Sequence, residues 1–237
     1  MLRPVTQLLF AWAVHFLTAS GAVLGILALL AVAERDFPRA ALLMLAALAI
    51  DSVDGTLARR FRVAEVLPGV DGRRLDDLVD YLNYVIVPAV FMVASGALSG
   101  WGWAALPVLA SAYGFSQQDA KTDDDFFLGF PSYWNVVAIY LWQLDLPPAL
   151  SAVLVAGLTL AVFIPLKYVY PSRTHALWRT TYAGAVLWLL AVSAVIIWPR
   201  RLGELRLMEI SLLYPAYYIA ISMWLGGWHR GSPRGTR

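Results

Sequence analysis

The stretch DSVDGTLAR at residues 51–59 follows an apolar run without a break, and the stretch GRRLDDLVD at residues 72–80 begins the next apolar run. An ionised side chain deep in a membrane costs about 2.5–3.5 kcal/mol on insertion scales, so such residues are usually paired, solvated or functional. The two stretches therefore predict membrane helices that hold carboxylates for a purpose.

Composition supports a membrane protein. Hydrophobic residues make up 60% of the 237 residues, whereas a typical soluble domain is about 45–50% apolar. The net charge is only +2 and no run is rich in Lys or Arg, so no nucleic-acid partner is expected. The absence of cysteine excludes disulfides and thiol catalysis.

Several segments are apolar over the length that a membrane helix needs, about 20 residues. Eight of them are predicted, at roughly 13–33, 38–58, 76–98, 101–117, 132–147, 148–167, 176–198 and 207–227. Residues 1–12 are expected to form a short interfacial helix. The sequence thus predicts an all-α, polytopic membrane bundle in a single domain, residues 1–237.

Positive residues predict the orientation, because Lys and Arg concentrate in cytoplasmic segments. With the N-terminus inside, 13 of them fall in inner segments and five in outer segments. Both termini and the segments 59–75 and 118–131 are therefore expected in the cytoplasm.

The spacing of the carboxylates predicts a shared site. Asp51 and Asp54 are three residues apart on one helix face, and Asp76 and Asp80 are four apart on another. If the two helices are neighbours, four carboxylates converge, and hard divalent cations such as Mg²⁺ or Mn²⁺ are suited to holding them together. Two such ions would suit phosphoryl transfer.

The residues beside the carboxylates fit a phosphate ligand. Gly55, Ala58 and Gly72 leave room for a bulky group to approach the backbone, and Arg59 is placed to meet a phosphate. A second interpretation stays open from the charges alone, in which the carboxylates simply pair with nearby arginines. Asp71 and Asp77 lie outside the pattern and are expected to cap a helix or face solvent.

Read together, these residues resemble the signature of the CDP-alcohol phosphotransferase family, D-x2-D-G-x2-A-R followed by G-x3-D-x3-D. Every signature position is filled between Asp51 and Asp80. The spacer Arg60–Asp71 is longer than the family's usual one, and this departure is similar to the bacterial phosphatidylcholine synthase branch. Further stretches resemble that branch, namely 118–122, 126–135 and 167–173.

The resemblance implies an activity in which CDP-diacylglycerol and choline give phosphatidylcholine and CMP. It also implies a cofactor of two divalent ions, either Mn²⁺ or Mg²⁺. It implies metal ligation by Asp51, Asp54, Asp76 and Asp80, with Asp80 also the general base. It implies a CDP site formed by Asp54, Gly55, Ala58, Arg59 and Gly72. It further implies a homodimer in the bacterial inner membrane, with the active site on the cytoplasmic side.

Choline and the lipid phosphate have their own candidates. Aromatic rings hold quaternary ammonium groups, but interfacial aromatic residues are also common simply as a belt. The candidates for choline are Tyr81, Tyr84, Tyr113, Tyr133, Trp134, Tyr168 and Tyr170. The candidates for the lipid phosphate are Lys121, Lys167 and Arg173, which could equally be positive anchors at the inner face.

Two other functions compete with this interpretation. One keeps the reaction and changes the alcohol, for example to serine, inositol phosphate or glycerol phosphate. A phosphorylated acceptor would need an additional basic pocket, whereas choline needs aromatic and acidic groups. The other is a transporter that uses membrane carboxylates as a relay, which predicts charges near the midplane and often an internal repeat.

Overall fold

The computed structural model describes residues 5–117, 120–122, 124–171, 174 and 176–228, and it is a bundle of helices with one small sheet. In chain order the α-helices are α1 (Val5–Ala33), α2 (Phe37–Arg60), α3 (Val63–Val66), α4 (Gly72–Asp80), α5 (Val87–Ala94), α6 (Trp101–Ser116), α7 (Trp134–Gln143), α8 (Pro148–Phe163), α9 (Trp178–Ile197), α10 (Pro199–Leu202), α11 (Leu207–Ser211) and α12 (Leu213–Leu225). A π-helical turn, Tyr81–Ile86, joins α4 to α5, and a 3₁₀ turn, Gly203–Leu205, follows α10.

Among the described residues, four helices are long and apolar enough to cross a membrane. They are α1, α2, the continuous helix Gly72–Ala94 and α9. This confirms the predicted all-α membrane bundle. Four further apolar helices, α6, α7, α8 and α12, are shorter than a full span, so the count of eight spans and the placement of both termini remain predictions.

Some predicted boundaries are wrong. Helix α1 is continuous from Val5, so the expected separate interfacial helix at 1–12 is absent from the described part of that segment. Helix α8 ends at Phe163 because the chain leaves it for a strand. The expected single helix at 207–227 is divided at Leu212 into α11 and α12.

A three-stranded antiparallel sheet lies among the loops and was not predicted. Its strands are β1 (Phe126–Leu128), β2 (Leu166–Val169) and β3 (Gly227–Trp228), in the order β1-β2-β3. The register pairs Phe126 with Val169 and Leu166 with Trp228. The sheet therefore connects the loop before α7, the loop after α8 and the end of α12.

Small residues on α1 let it pack closely against α4 and the π-helical turn. A Cβ added to Gly21 would lie 2.8 Å from Val79 Cγ1, and one added to Gly25 would lie 2.8 Å from Asn83 Oδ1. Asn83 Nδ2 donates to the Gly21 carbonyl at 2.9 Å and to the Val79 carbonyl at 3.0 Å. Small residues permit such approach between helices in lipid, and a side-chain hydrogen bond stabilises it. Helix α1, which also packs along α2, thus fixes the position of α4 beside α2.

Gly129 fixes the sheet against α8. Its φ of +79° is a left-handed conformation, and a Cβ added there would lie 2.2 Å from the Val162 carbonyl oxygen. The Gly129 amide donates to the Leu166 carbonyl at 2.8 Å.

We expect Gly129→Ala to destabilise the protein by about 2 kcal/mol and to lower its thermal midpoint by about 4–8 °C, measured on purified protein in detergent.

Gly157→Ala is the matched control. Gly157 lies inside α8, and a Cβ added to it would meet no atom within 4 Å. Alanine favours a helix over glycine by about 0.5–1 kcal/mol, so this variant should keep or raise the midpoint. If the Gly129→Ala protein has the same thermal midpoint as the Gly157→Ala protein, the close approach of Gly129 to the Val162 carbonyl is contradicted.

Candidate active site

Three carboxylates from two helices meet at one place. Oxygen atoms of Asp51 on α2 and of Asp76 and Asp80 on α4 lie within 4.8 Å of one another. Asp51 is about 13 Å along α2 from its end at Arg60, and Asp80 is about 12 Å along α4 from its start at Gly72, at 1.5 Å per residue. The Asp51 and Asp80 side chains therefore lie inside the bundle, at similar distances from the arginine-rich ends of α2 and α4.

The fourth carboxylate, Asp54, lines a small cavity together with the other three, but it has a partner of its own. It is 4% exposed, and its Oδ2 accepts a hydrogen bond of 2.7 Å from the Thr18 hydroxyl of α1. A buried carboxylate needs such a donor, because leaving it unpaired costs free energy. The family resemblance implies that His15 and Thr18 of the first helix lie near the site, and this hydrogen bond places Thr18 beside Asp54.

Tyr84 connects the carboxylates to an aromatic wall. Its hydroxyl donates to Asp51 Oδ2 at 2.6 Å, and the residue is 5% exposed within the π-helical turn. π-Helical turns are rare and are found frequently at functional sites. Here the turn follows Asp80 directly and contains the tyrosine that binds Asp51.

One lysine provides positive charge at the cluster. Lys121 Nζ lies 3.9 Å from Asp76 Oδ2 and 3.6 Å from Asp77 Oδ1, and 6.0 Å from the centre of the Tyr170 ring. Burial alone would lower the pKa of Lys121, but Tyr170 and the carboxylates of α4 outweigh it and raise that pKa. Lys121 is thus a stable cation, and Asp77, expected to cap a helix or face solvent, pairs with it while 39% of its side chain stays exposed.

The other charged candidates have different surroundings. Lys167 Nζ donates to Asp124 Oδ2 at 2.6 Å, and this bond lowers the pKa of Asp124. Asp71 caps α4 as expected, because its side chain accepts from the Arg74 amide at 3.1 Å. Arg173 lies outside the described residues.

The residues expected around CDP line one large cavity with the carboxylates. Its volume is about 1670 Å³, and its wall includes Asp54, Gly55, Ala58, Arg59 and Gly72. Arg59 donates to the Thr56 hydroxyl at 3.0 Å. A Cβ added to Gly72 would lie 3.1 Å from His15 Cε1, so the start of α4 lies against α1.

Four of the seven aromatic candidates line this cavity, namely Tyr84, Tyr133, Tyr168 and Tyr170. The others pack elsewhere. The Tyr81 hydroxyl donates to the Val108 carbonyl, Tyr113 packs on Phe163, and fully buried Trp134 donates to the Ser111 hydroxyl.

The structure adds Tyr214 and Tyr218 of α12 to the cavity wall, and sequence analysis missed both. Their spacing of four residues places them on one helix face. Tyrosines near a membrane interface are too common for that spacing alone to indicate a site.

Similarity to known proteins agrees with this geometry, although no protein-family model matches the chain. A phosphatidylcholine synthase of Legionella pneumophila is 42% identical over 174 residues, which are 71% of this chain and 68% of that protein. One from Borreliella burgdorferi is 32% identical over 92% of this chain and 95% of its own length. One from Pseudomonas aeruginosa is 36% identical over 90% of this chain and 91% of its own length. This chain belongs to the phosphatidylcholine synthase branch of the CDP-alcohol phosphotransferase family.

Proposed function

We propose that this chain is a phosphatidylcholine synthase, which transfers the phosphatidyl group of CDP-diacylglycerol to choline and releases CMP. The observation that supports this most is the meeting of Asp51, Asp76 and Asp80 at the wall of a cavity that tyrosines also line. Relatives that bear this enzyme's name match nearly the whole chain.

The donor set fits a hard divalent cation. All the converging ligand atoms are carboxylate oxygens, which suit Mg²⁺ or Mn²⁺ rather than softer metals. We assign Asp51, Asp54, Asp76 and Asp80 to two such ions. Bound there, the ions would neutralise charge on the pyrophosphate and on the departing CMP.

Asp80 is assigned as the general base. The choline hydroxyl attacks the phosphorus that bears diacylglycerol, and its proton passes to the Asp80 carboxylate as the new P–O bond forms. The bond from that phosphorus to the CMP oxygen breaks, and CMP leaves with the electron pair. An alcohol is a weak nucleophile, so a carboxylate within hydrogen-bond reach contributes to the rate.

The nucleotide is assigned to the wall formed by Asp54, Gly55, Ala58, Arg59 and Gly72. Of the lysines expected to meet the lipid phosphate, Lys121 is the better candidate. It lies beside Asp76 at the cavity wall. Lys167, on strand β2, is instead paired with Asp124.

Choline is assigned to a chain of tyrosine rings that starts at the carboxylates. Ring centres are 5.9 Å apart for Tyr84 and Tyr133, 5.9 Å for Tyr133 and Tyr218, and 6.4 Å for Tyr168 and Tyr218. A quaternary ammonium has no hydrogen-bond donor, so ring faces bind it through cation–π attraction. We call these four rings, Tyr84, Tyr133, Tyr168 and Tyr218, the tyrosine cage. Because the Tyr84 hydroxyl donates to Asp51, a cation in the cage would lie close to the reacting groups.

We further propose the cytoplasmic side of the bacterial inner membrane as the location of the site. The positive residues support it, since Arg59, Arg60, Arg73 and Arg74 cluster at the helix ends nearest the carboxylates. A homodimer is proposed from the family resemblance.

The function is tested with a panel of alcohols. Purified protein with CDP-diacylglycerol and Mn²⁺ should release CMP with choline, and much less with serine, inositol phosphate or glycerol phosphate, because the cage suits a quaternary ammonium. CMP release and labelled phospholipid are both measured.

The matched control for this panel is Asp80→Asn, which keeps the size of the side chain but removes the base. It should lose turnover while CMP binding is largely retained. Preference for another alcohol would move the chain to a sister activity. Solute uptake into vesicles without CMP release would indicate the transporter.

The cage is tested by Tyr218→Leu. We expect the choline KM to rise about 2- to 30-fold, because a cation–π contact contributes about 0.5–2 kcal/mol, while the KM for CDP-diacylglycerol is unchanged. Tyr218→Phe, which keeps the ring, should retain most choline affinity.

Tyr217→Leu controls for damage to α12. Tyr217 is the neighbouring ring and bonds to the Thr181 hydroxyl at 3.0 Å. If its loss raises the choline KM as much as the loss of Tyr218, the cage assignment is wrong.

A further inference from the structure

The large cavity continues beyond the carboxylates as an apolar arm. Residues of α7, α8, α9 and α12 line this arm, and all of these helices follow the signature in sequence. Its wall includes Val137, Leu144, Leu158, Val186, Leu189 and Ile219. One continuous space therefore has a charged end at Asp51 and Asp80 and an apolar end among the later helices.

Three polar side chains beside this arm, Tyr140, Trp188 and Ser211, already have hydrogen-bond partners. The Tyr140 and Ser211 hydroxyls lie 2.7 Å apart, and Trp188 Nε1 donates to the Tyr140 hydroxyl at 2.8 Å. Ser211 also donates to the Met208 carbonyl at 2.7 Å. With these groups engaged, the wall offers ring faces and aliphatic groups to a ligand, which favours an apolar occupant over a second polar one.

The length of the arm matches one lipid leaflet. It extends along α7 from Tyr133 to Leu144, which is about 16 Å at 1.5 Å per residue. Half of a hydrocarbon core about 30 Å thick is about 15 Å. An acyl chain whose head group is at the carboxylates would therefore fit along it.

Several side chains that line the arm are also exposed. Leu154, Val186 and Ile219 line the cavity and are 42%, 42% and 51% exposed. A membrane lipid could thus enter sideways, with its head group moving toward the carboxylates and its tail remaining among apolar side chains.

We infer that this apolar arm binds one acyl chain of the CDP-diacylglycerol substrate. The inference rests on the proposed function, because the occupant is that enzyme's lipid substrate. The helices α8, α9 and α12 then act in substrate recognition, and the second acyl chain stays in the bilayer. The arm aligns the lipid so that its pyrophosphate lies at Asp51, Asp76 and Asp80.

A bulky residue in the arm should select against long chains. Leu158 lines the arm, and Leu158→Trp would occupy part of it. With choline saturating, we expect kcat/KM for dipalmitoyl CDP-diacylglycerol to fall about tenfold, equivalent to about 1.4 kcal/mol. The value for the dioctanoyl substrate, in the same mixed micelles, should stay within about twofold of the wild type, a difference under about 0.5 kcal/mol.

Leu160→Trp is the matched control, because Leu160 is two residues further along α8, is 65% exposed and does not line the cavity. Its kcat/KM for the dipalmitoyl and for the dioctanoyl substrate should both match the wild-type values. Equal effects of Leu158→Trp on the two chain lengths, or the same selectivity from Leu160→Trp, would overturn the acyl site. A Leu158→Trp protein whose oligomeric state changes would assign the arm to a protein interface instead.

The same assay separates this inference from the proposed function. Wild-type protein that turns over neither CDP-lipid with choline contradicts the function itself. Turnover of both substrates without selectivity in Leu158→Trp leaves the function standing and removes only the acyl site.

Discussion

Repulsion between buried carboxylates is the constraint on which this structure depends. Asp51, Asp76 and Asp80 bring oxygen atoms within 4.8 Å of one another inside a bundle of largely apolar helices. Like charges at that distance cannot all stay ionised without compensation. The chain provides part of it through the Tyr84 hydroxyl on Asp51 and the Lys121 ammonium near Asp76. The oxygen-rich remainder is suited to divalent cations.

Close helix packing keeps these charges together against their repulsion. Gly21 and Gly25 let α1 approach Val79 and Asn83, and Asn83 spans both helices with its amide. The Thr18 hydroxyl, on the same helix α1, binds Asp54 of α2. One helix therefore contacts both carboxylate-bearing helices, which explains how their charged faces remain adjacent. Rigid placement of this kind is what phosphoryl transfer requires, because its catalysis depends mainly on positioning and charge stabilisation.

The sequence was sufficient where local periodicity decides the outcome. Spacings of three and four residues put Asp51 with Asp54 and Asp76 with Asp80, and apolar run lengths indicated the long helices. It was insufficient where contacts distant in sequence decide. The strand at residues 166–169 is apolar enough to extend α8, and only pairing with residues 126–128 identifies it. The pairing of Lys121 with Asp77 and the place of Tyr218 beside Tyr133 likewise depend on how loops and α12 fold back. No spacing rule specifies those contacts.

The central claim is that the converging carboxylates hold divalent ions, and Mn²⁺ binding followed by electron paramagnetic resonance tests it most directly. Titration of the purified protein should show saturable loss of the free Mn²⁺ signal. Asp76→Asn should weaken binding by at least the roughly 10- to 100-fold loss typical of removing a residue that only supports a metal ligand. Asp77→Asn, which removes the adjacent carboxylate that pairs with Lys121, should retain the site. Equal Mn²⁺ affinity in the wild type and in Asp76→Asn, or no saturable binding at all, would contradict the account.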